Sequence, residues 1–207
     1  RKNLNKYSAA FLKKINLRYI VLCEDLSISG INTAGIPDHI MKTLILDIKF
    51  DESYFERVIH HEIFHIINDS HKKNFNIDEW TGFNHKTFEY AECSTCSDKL
   101  GLSTYNNTNG FLTEYSQSTA SEDMAEVFSH LILKINKSNN DSILKKKEIF
   151  IKKNFLKIDK SFKFWLMIKK IKASKSEKVI LSFLILLGIF VIAFFITIKN
   201  KCLFVKN

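Results

Sequence analysis

Apolar and polar positions change rhythm several times along this 207-residue chain, and each change marks an element. Residues 4–15 carry a short helical pattern with a basic face. Leu17 to Cys23 (LRYIVLC) is a compact apolar run rich in β-formers and predicts a buried strand. Ser27 to Pro37 is punctuated by Gly30, Gly35 and Pro37 and reads as a turn or loop. Thr43 to Ile48 (TLILDI) predicts a second strand, a candidate edge strand. Asp51 to Asp69 predicts a helix. Asp51 or Ser53 caps it, Glu52 and Glu56 sit near its positive end, and Val58, Ile59, Ile63, Phe64, Ile66 and Ile67 supply its apolar surface.

Residues 70–118 are rich in Asn, Thr, Gly and Ser and read as mostly loop. A second strong helix is predicted over 121–135, with Met124, Ala125, Val127, Phe128, Leu131, Ile132 and Ile135 at helical spacing. Residues 141–172 alternate Lys with large apolar residues, as in a basic amphipathic helix. Val179 to Ile198 then runs for twenty residues without a charge, bracketed by Lys178 and Lys199. That length spans a bilayer core as a helix, so a C-terminal membrane anchor is expected. There are no internal repeats.

Composition sharpens this picture. Hydrophobic content of 45% and charged content of 26% describe a globular chain, not a disordered one. The net charge of +9 is unevenly placed: residues 1–135 hold 14 Lys/Arg against 18 Asp/Glu, whereas 136–207 hold 17 Lys against 4 acids. A nucleic-acid binder would be basic over its folded part, and no nucleic-acid motif is present. A basic stretch beside an apolar span suits anionic lipid headgroups better. Seven lysines lie close to the span on its N-terminal side and three on the other. The charge rule therefore leaves the globular part facing the cytoplasm, unless a lost leader overrides it. The chain opens on Arg1 rather than Met, which reads as a fragment or processed product. Cys93-Ser-Thr-Cys96 has no CxxC partner, so a zinc knuckle is not expected there; a local disulfide or two free thiols is.

The chemistry centres on His61-Glu62-Ile63-Phe64-His65 in the first strong helix. Residues four apart on a helix leave the same face one turn apart, so both imidazoles reach two corners of one tetrahedral zinc site. Glu62 is placed to act as general base, taking a proton from the attacking water. Two residues compete for the third ligand. His71 has the spacing of the longer metzincin motif, but Asn68 stands where that motif has Gly. Glu122, in Ser121-Glu-Asp-Met-Ala-Glu-Val-Phe128, would supply a carboxylate from a second helix. Thr119-Ala-Ser-Glu122 also fits a capping box, and Glu126 one turn on could hydrogen-bond a ligand histidine. His60 reads as a packed or supporting histidine, and His39, His85 and His130 have no partner spacing.

The segment Val58-Ile-His-His-Glu-Ile-Phe-His65, then Tyr115, then Glu122-Asp-Met-Ala-Glu126, resembles the gluzincin metallopeptidases, among them the anthrax lethal factor protease domain and the clostridial Pro-Pro endopeptidases. It resembles more closely the small bacterial zinc-binding metallopeptidases with an HHExxH helix. Tyr115 precedes Glu122 by seven residues, as in that family. Trp80, Asn84 and Tyr90 resemble its connecting segment, and Gly30 to Pro37 its Gly-containing loop between strands. The likeness covers roughly 17–135.

The resemblance implies one catalytic Zn2+ on His61, His65 and Glu122, with Glu62 as base and Tyr115 donating a hydrogen bond to the oxyanion. It implies an α+β zincin-like domain with a small mixed or antiparallel sheet, acting on peptide or protein substrates. The expected organisation is a peptidase domain over 1–136 and a basic juxtamembrane segment over 137–177. A transmembrane helix follows over 178–199, then a short tail over 200–207. The rival expectations are an inactive zinc-binding membrane protein and a metzincin-type enzyme using His71.

Overall fold

The computed structural model describes residues 2–28, 30–135 and 140–160, and the backbone of 202–206. The order is α1 (Ala9–Lys14), β1 (Tyr19–Cys23), β2 (Ser27–Ile28), β3 (Ile31–Asn32), β4 (Gly35–Asp38), β5 (Thr43–Asp47), α2 (Glu52–Ser70), α3 (Ile77–Thr81), α4 (Ala120–Leu133), α5 (Ser142–Ile158) and β6 (Cys202–Lys206). One-turn 3-10 helices lie at Leu4–Lys6, Lys72–Asn74, Ser94–Cys96 and Tyr115–Gln117. The α+β class and the small sheet are as expected.

The main sheet runs β4-β5-β1-β6. β1 pairs with β5 in parallel, and β4–β5 and β1–β6 are antiparallel, so the sheet is mixed. Two expectations are corrected here. β5 is an interior strand, and the edge strand is β4. The segment 27–37 is also not all loop: it holds the β2–β3 hairpin and β4. Gly35 and Pro37 read as loop signals, yet an edge strand tolerates proline because one of its faces leaves N–H groups unpaired. Leu44 and Leu46 of β5 and Ile20 of β1 are buried against the helical layer.

Helix α2 starts where Asp51 caps it, its side chain accepting from the Tyr54 N–H at 3.0 Å. It packs on β4 and β5 and, on its other flank, on α4. Helix α4 is capped by Thr119, and its left-handed C-cap Lys134 ends it at Leu133, before the predicted end at Ile135. Helix α5 lies against α4. Its residues Leu144, Lys147, Phe150, Ile151, Asn154, Phe155 and Ile158 form one buried stripe. Phe155 stacks on Phe128 of α4 with ring centroids 4.5 Å apart, and both rings pack against Phe64 of α2. The apolar face of the basic helix therefore meets protein.

The expected span over 179–198 lies outside the described residues. Among the described residues no helix is long and apolar enough to cross a membrane.

Asp141 opens α5. Its carboxylate accepts from the Leu144 N–H at 2.8 Å, the Thr108 hydroxyl at 2.5 Å and the Gly110 N–H at 2.5 Å. Burial raises its pKa, but these donors outweigh burial and hold it below the usual value of 3.8. Because the folded-state pKa is depressed, the contribution is full above the ordinary Asp range and fades as pH falls through it. Asp141→Ala should lower stability by about 1 kcal/mol at neutral pH, the typical worth of an N-cap. Urea unfolding should show the gap from wild type closing below about pH 3.8; a gap that persists there would contradict this account.

Candidate metal centre

His61 and His65 project from α2 toward the first turn of α4. His61 Nε2 lies 2.8 Å from Glu122 Oε2 and 3.1 Å from His65 Nε2, and His65 Nε2 lies 3.2 Å from the same carboxylate oxygen. One ligand atom from each residue falls within 4.8 Å of the others. Zinc bonds of about 2.0–2.1 Å in a tetrahedron separate neighbouring ligand atoms by roughly 3.3 Å. The three atoms therefore form a triangle close to one face of such a tetrahedron, and the residues fit the ion.

Each ring has a polar partner behind it. The Nδ1 side of His61 meets Glu126 Oε1 at 2.9 Å, and that of His65 meets Ser121 Oγ at 3.2 Å. With Nδ1–H donated outward, each Nε2 presents its lone pair to the shared point. Glu126 in turn faces Arg57, whose Nε lies 3.9 Å from Oε2. Arg57 precedes His61 by one turn and also donates to Thr104 Oγ1 at 3.0 Å and to the Leu102 carbonyl. Burial disfavours the His61 imidazolium, but Glu122 and Glu126 outweigh it and push its pKa well up. Glu122 is held far below the usual carboxylate range: burial raises its pKa, and the two imidazoles more than reverse that. The cluster is thus built to hold positive charge between its carboxylates, and a bound dication would replace the proton.

The capping box at 119–122 is half formed. The Glu122 N–H donates to Thr119 Oγ1 at 3.3 Å, while the Glu122 carboxylate turns to the histidines instead of back to its cap. His71 is not in the cluster. Helix α2 continues through Asn68 to Ser70, and the chain does not turn until His71. Six residues of helix carry His71 about 9 Å along the axis from His65 and round toward the opposite side. That placement favours Glu122 over His71 as the third partner of the pair. His60 packs the other way, 2.7 Å from the Tyr7 hydroxyl, and burial lowers its pKa to about 3, so it stays neutral. His130 sits against the Glu126 carbonyl, and His85 is exposed.

Tyr115 comes to the site on its own one-turn helix. Reciprocal bonds between Thr113 and Ser116 shape that turn, and the Tyr115 N–H donates to the Gly101 carbonyl at 2.9 Å. Its ring lies 6.1 Å from that of His61, and its hydroxyl faces Glu122 and Ser94. Burial, together with the Glu122 charge, pushes the phenol above its usual pKa, so it remains a donor. Ser94 belongs to the turn closed by the Cys93–Cys96 disulfide. Of the two sequence readings of that pair, the bonded form is the one observed.

Glu62 is 8% exposed, and burial raises its pKa. It lies directly beneath Gly35 of β4: a Cβ on Gly35 would stand 2.5 Å from Glu62 Cγ and 2.9 Å from Oε1. The edge strand can approach the helix this closely only because position 35 has no side chain. Sequence reasoning left Gly35, Ser121 and Arg57 without roles. Only Arg57 carried a usable signal, its spacing of four and eight residues from the two histidines.

A model of a zinc-binding metallopeptidase family matches residues 5–178. The chain belongs to that family, described as "Putative zinc-binding metallo-peptidase". No curated protein and no solved structure matches the chain. The family places the chain among peptide-bond hydrolases and implies peptide or protein substrates. Its match runs past α4 through α5.

Gly35→Ala should displace the Glu62 side chain while leaving the three ligands in place. We expect turnover of a peptide library to fall at least tenfold with zinc content unchanged. Loss of zinc in this variant would show that β4 supports the metal ligands and not the carboxylate beneath it.

Proposed function

We propose that this protein is a zinc-dependent endopeptidase of the gluzincin type, with one zinc on His61, His65 and Glu122. The observation that carries this reading is the triangle of Nε2, Nε2 and Oε2 atoms drawn from two helices, with a buried carboxylate beside it. The HHExxH helix followed by Tyr115 and Glu122-Asp-Met-Ala-Glu126 supports the lethal-factor-like subgroup. When bound, zinc would supply Lewis acidity that polarises the peptide carbonyl and acidifies water. Glu62 takes the proton from the attacking water and passes it to the departing amine. Its burial raises its pKa toward the range in which a carboxylate both accepts and returns a proton. The Tyr115 hydroxyl donates to the oxyanion as the carbonyl carbon becomes tetrahedral.

Glu62→Gln should retain zinc and lower turnover by about 10²–10⁴-fold, the usual worth of a general base. Undiminished cleavage in that variant would remove Glu62 from the mechanism. Equal, negligible cleavage by wild type and variant would instead support a zinc-binding protein without activity. Metal analysis should show Glu122→Ala depleted of zinc and His71→Ala fully loaded.

The proposal extends to the membrane. The uncharged run Val179–Ile198 beside a basic segment supports a C-terminal anchor with the catalytic part facing the cytoplasm. The sheet favours a second arrangement of the tail, because Cys202–Lys206 pairs with Tyr19–Cys23 of β1. A strand on the far side of a bilayer cannot pair with β1, so a single crossing and a paired β6 exclude each other. In the anchored protein, protease protection should place a tag after Asn207 opposite the catalytic domain. A tag on the same side would rule out the single crossing and favour the paired strand.

A further inference from the structure

Lys147 is the one lysine of the basic helix α5 that points inward, and it is fully buried. Its Nζ lies 2.6 Å from Asp123 Oδ2 and 2.7 Å from the Gly110 carbonyl, and 3.9 Å above the Phe111 ring. Asp123 is the neighbour of Glu122 on α4, and it too is fully buried. The same Oδ2 accepts from the Tyr90 hydroxyl at 2.6 Å and from Trp80 Nε1 at 3.0 Å. Asn84 Nδ2 donates to the Tyr90 hydroxyl at 2.9 Å. Donors from α3, from the 84–90 segment and from α5 therefore meet on one carboxylate oxygen in the first turn of α4.

We propose that Asp123, held by Lys147, Tyr90 and Trp80, is the positioning element of the metal centre: it sets the direction in which Glu122 points and so the affinity for zinc. Adjacent residues on a helix project about 100° apart. Pinning Asp123 on the side of α3 and α5 turns Glu122 toward His61 and His65 on α2. Without the pin, what remains on this first turn besides Glu122's own contacts is the Thr119 cap at 3.3 Å and Ser121 Oγ against His65 at 3.2 Å. A buried charge pair with aromatic donors is a costly way merely to fill a core, since apolar residues of equal volume serve stability as well or better. It does fix a rotation, because three donors on one oxygen leave a single arrangement satisfied. Helix α5 is then part of the metal site although none of its residues is a ligand.

The inference rests on the ligand assignment above, and the test separates the two. Zinc dissociation constants of full-length variants would be measured by competition with a chromophoric chelator, alongside the melting temperature of the zinc-free proteins. Lys147→Met should weaken zinc at least tenfold, in the range seen when outer partners of metal ligands are removed. Tyr90→Phe removes one donor with little loss of volume, and should weaken zinc several-fold in a protein that remains folded. The double variant Asp123→Asn/Lys147→Met leaves no unpaired buried charge. It should recover melting temperature relative to Lys147→Met while zinc stays weak. Ile15→Ala, a buried change at the end of α1 and outside this network, should lower melting temperature and leave zinc affinity intact. If Tyr90→Phe and folded Lys147→Met bind zinc within twofold of wild type, the network is structural only and the proposal is overturned. If wild type binds no zinc, or Glu122→Ala binds it normally, the ligand assignment has failed instead.

Discussion

Everything around the site depends on one electrostatic constraint: three glutamates, buried Glu62 and Glu126 and half-buried Glu122, stand within reach of one another between two helices. Carboxylates taken out of water are tolerated only with partners. The partners here are graded. Glu126 has the His61 ring and the Arg57 guanidinium, Glu122 has both imidazoles, and Glu62 has burial without a cation in contact. That grading separates their chemistry. A carboxylate flanked by imidazoles stays ionised and suits a ligand, whereas one raised by desolvation suits a base. A cation at the point where the two Nε2 atoms and the Glu122 oxygen converge would reconcile the charges of the cluster.

The rest of the fold can be understood as what keeps that point fixed. Helix α2 supplies two of its corners from consecutive turns of one rigid rod. The third comes from α4, so the α2–α4 contact is the dimension that must not drift. The aromatic cluster of Phe64, Phe128 and Phe155 sets that distance by packing, with α5 behind it. The sheet performs a different task. Its edge strand β4 comes down on Glu62 at Gly35, covering that carboxylate on one side. The helices thus set the His61–His65–Glu122 triangle while the sheet bears on Glu62 alone, so a change in β4 can be expected to leave the triangle intact.

The parts of the site that were legible in the sequence were those with a fixed spacing. Two histidines four apart on a helix can only share a face, and Tyr115 and Glu122 lie within eight residues of each other on the approach to a capped helix. Thr119 and Asp51 announced their helices through residue type alone. What was not legible had no period to reveal it. Gly35 and Pro37 looked like loop residues, because nothing local says that a strand at an edge will accept them. The stripe on α5 was visible as an amphipathic helix, but periodicity gives the direction of an apolar face and not what covers it. Phe150, Ile151 and Phe155 cover protein. Lys147 was hidden for a further reason: among so many lysines, its inward direction is set only by Asp123 and the Gly110 carbonyl, which are distant in sequence.

The C-terminal strand carries the same lesson into the question of where the protein works. Hydropathy reads each segment alone, and for 179–198 it favours lipid. Pairing reads two segments together: each residue of Cys202–Lys206 has a partner in Tyr19–Cys23. With β6 in place, β1 is an interior strand and its N–H and C=O groups are satisfied on both sides. Without it, β1 becomes an edge, and a buried strand with an open edge invites pairing with another chain. An anchored form that withdraws the tail across a bilayer must therefore cover β1 in some other way. The four-stranded sheet and a single membrane crossing before β6 are thus mutually exclusive, since β1 can hold β6 only on its own side of a bilayer.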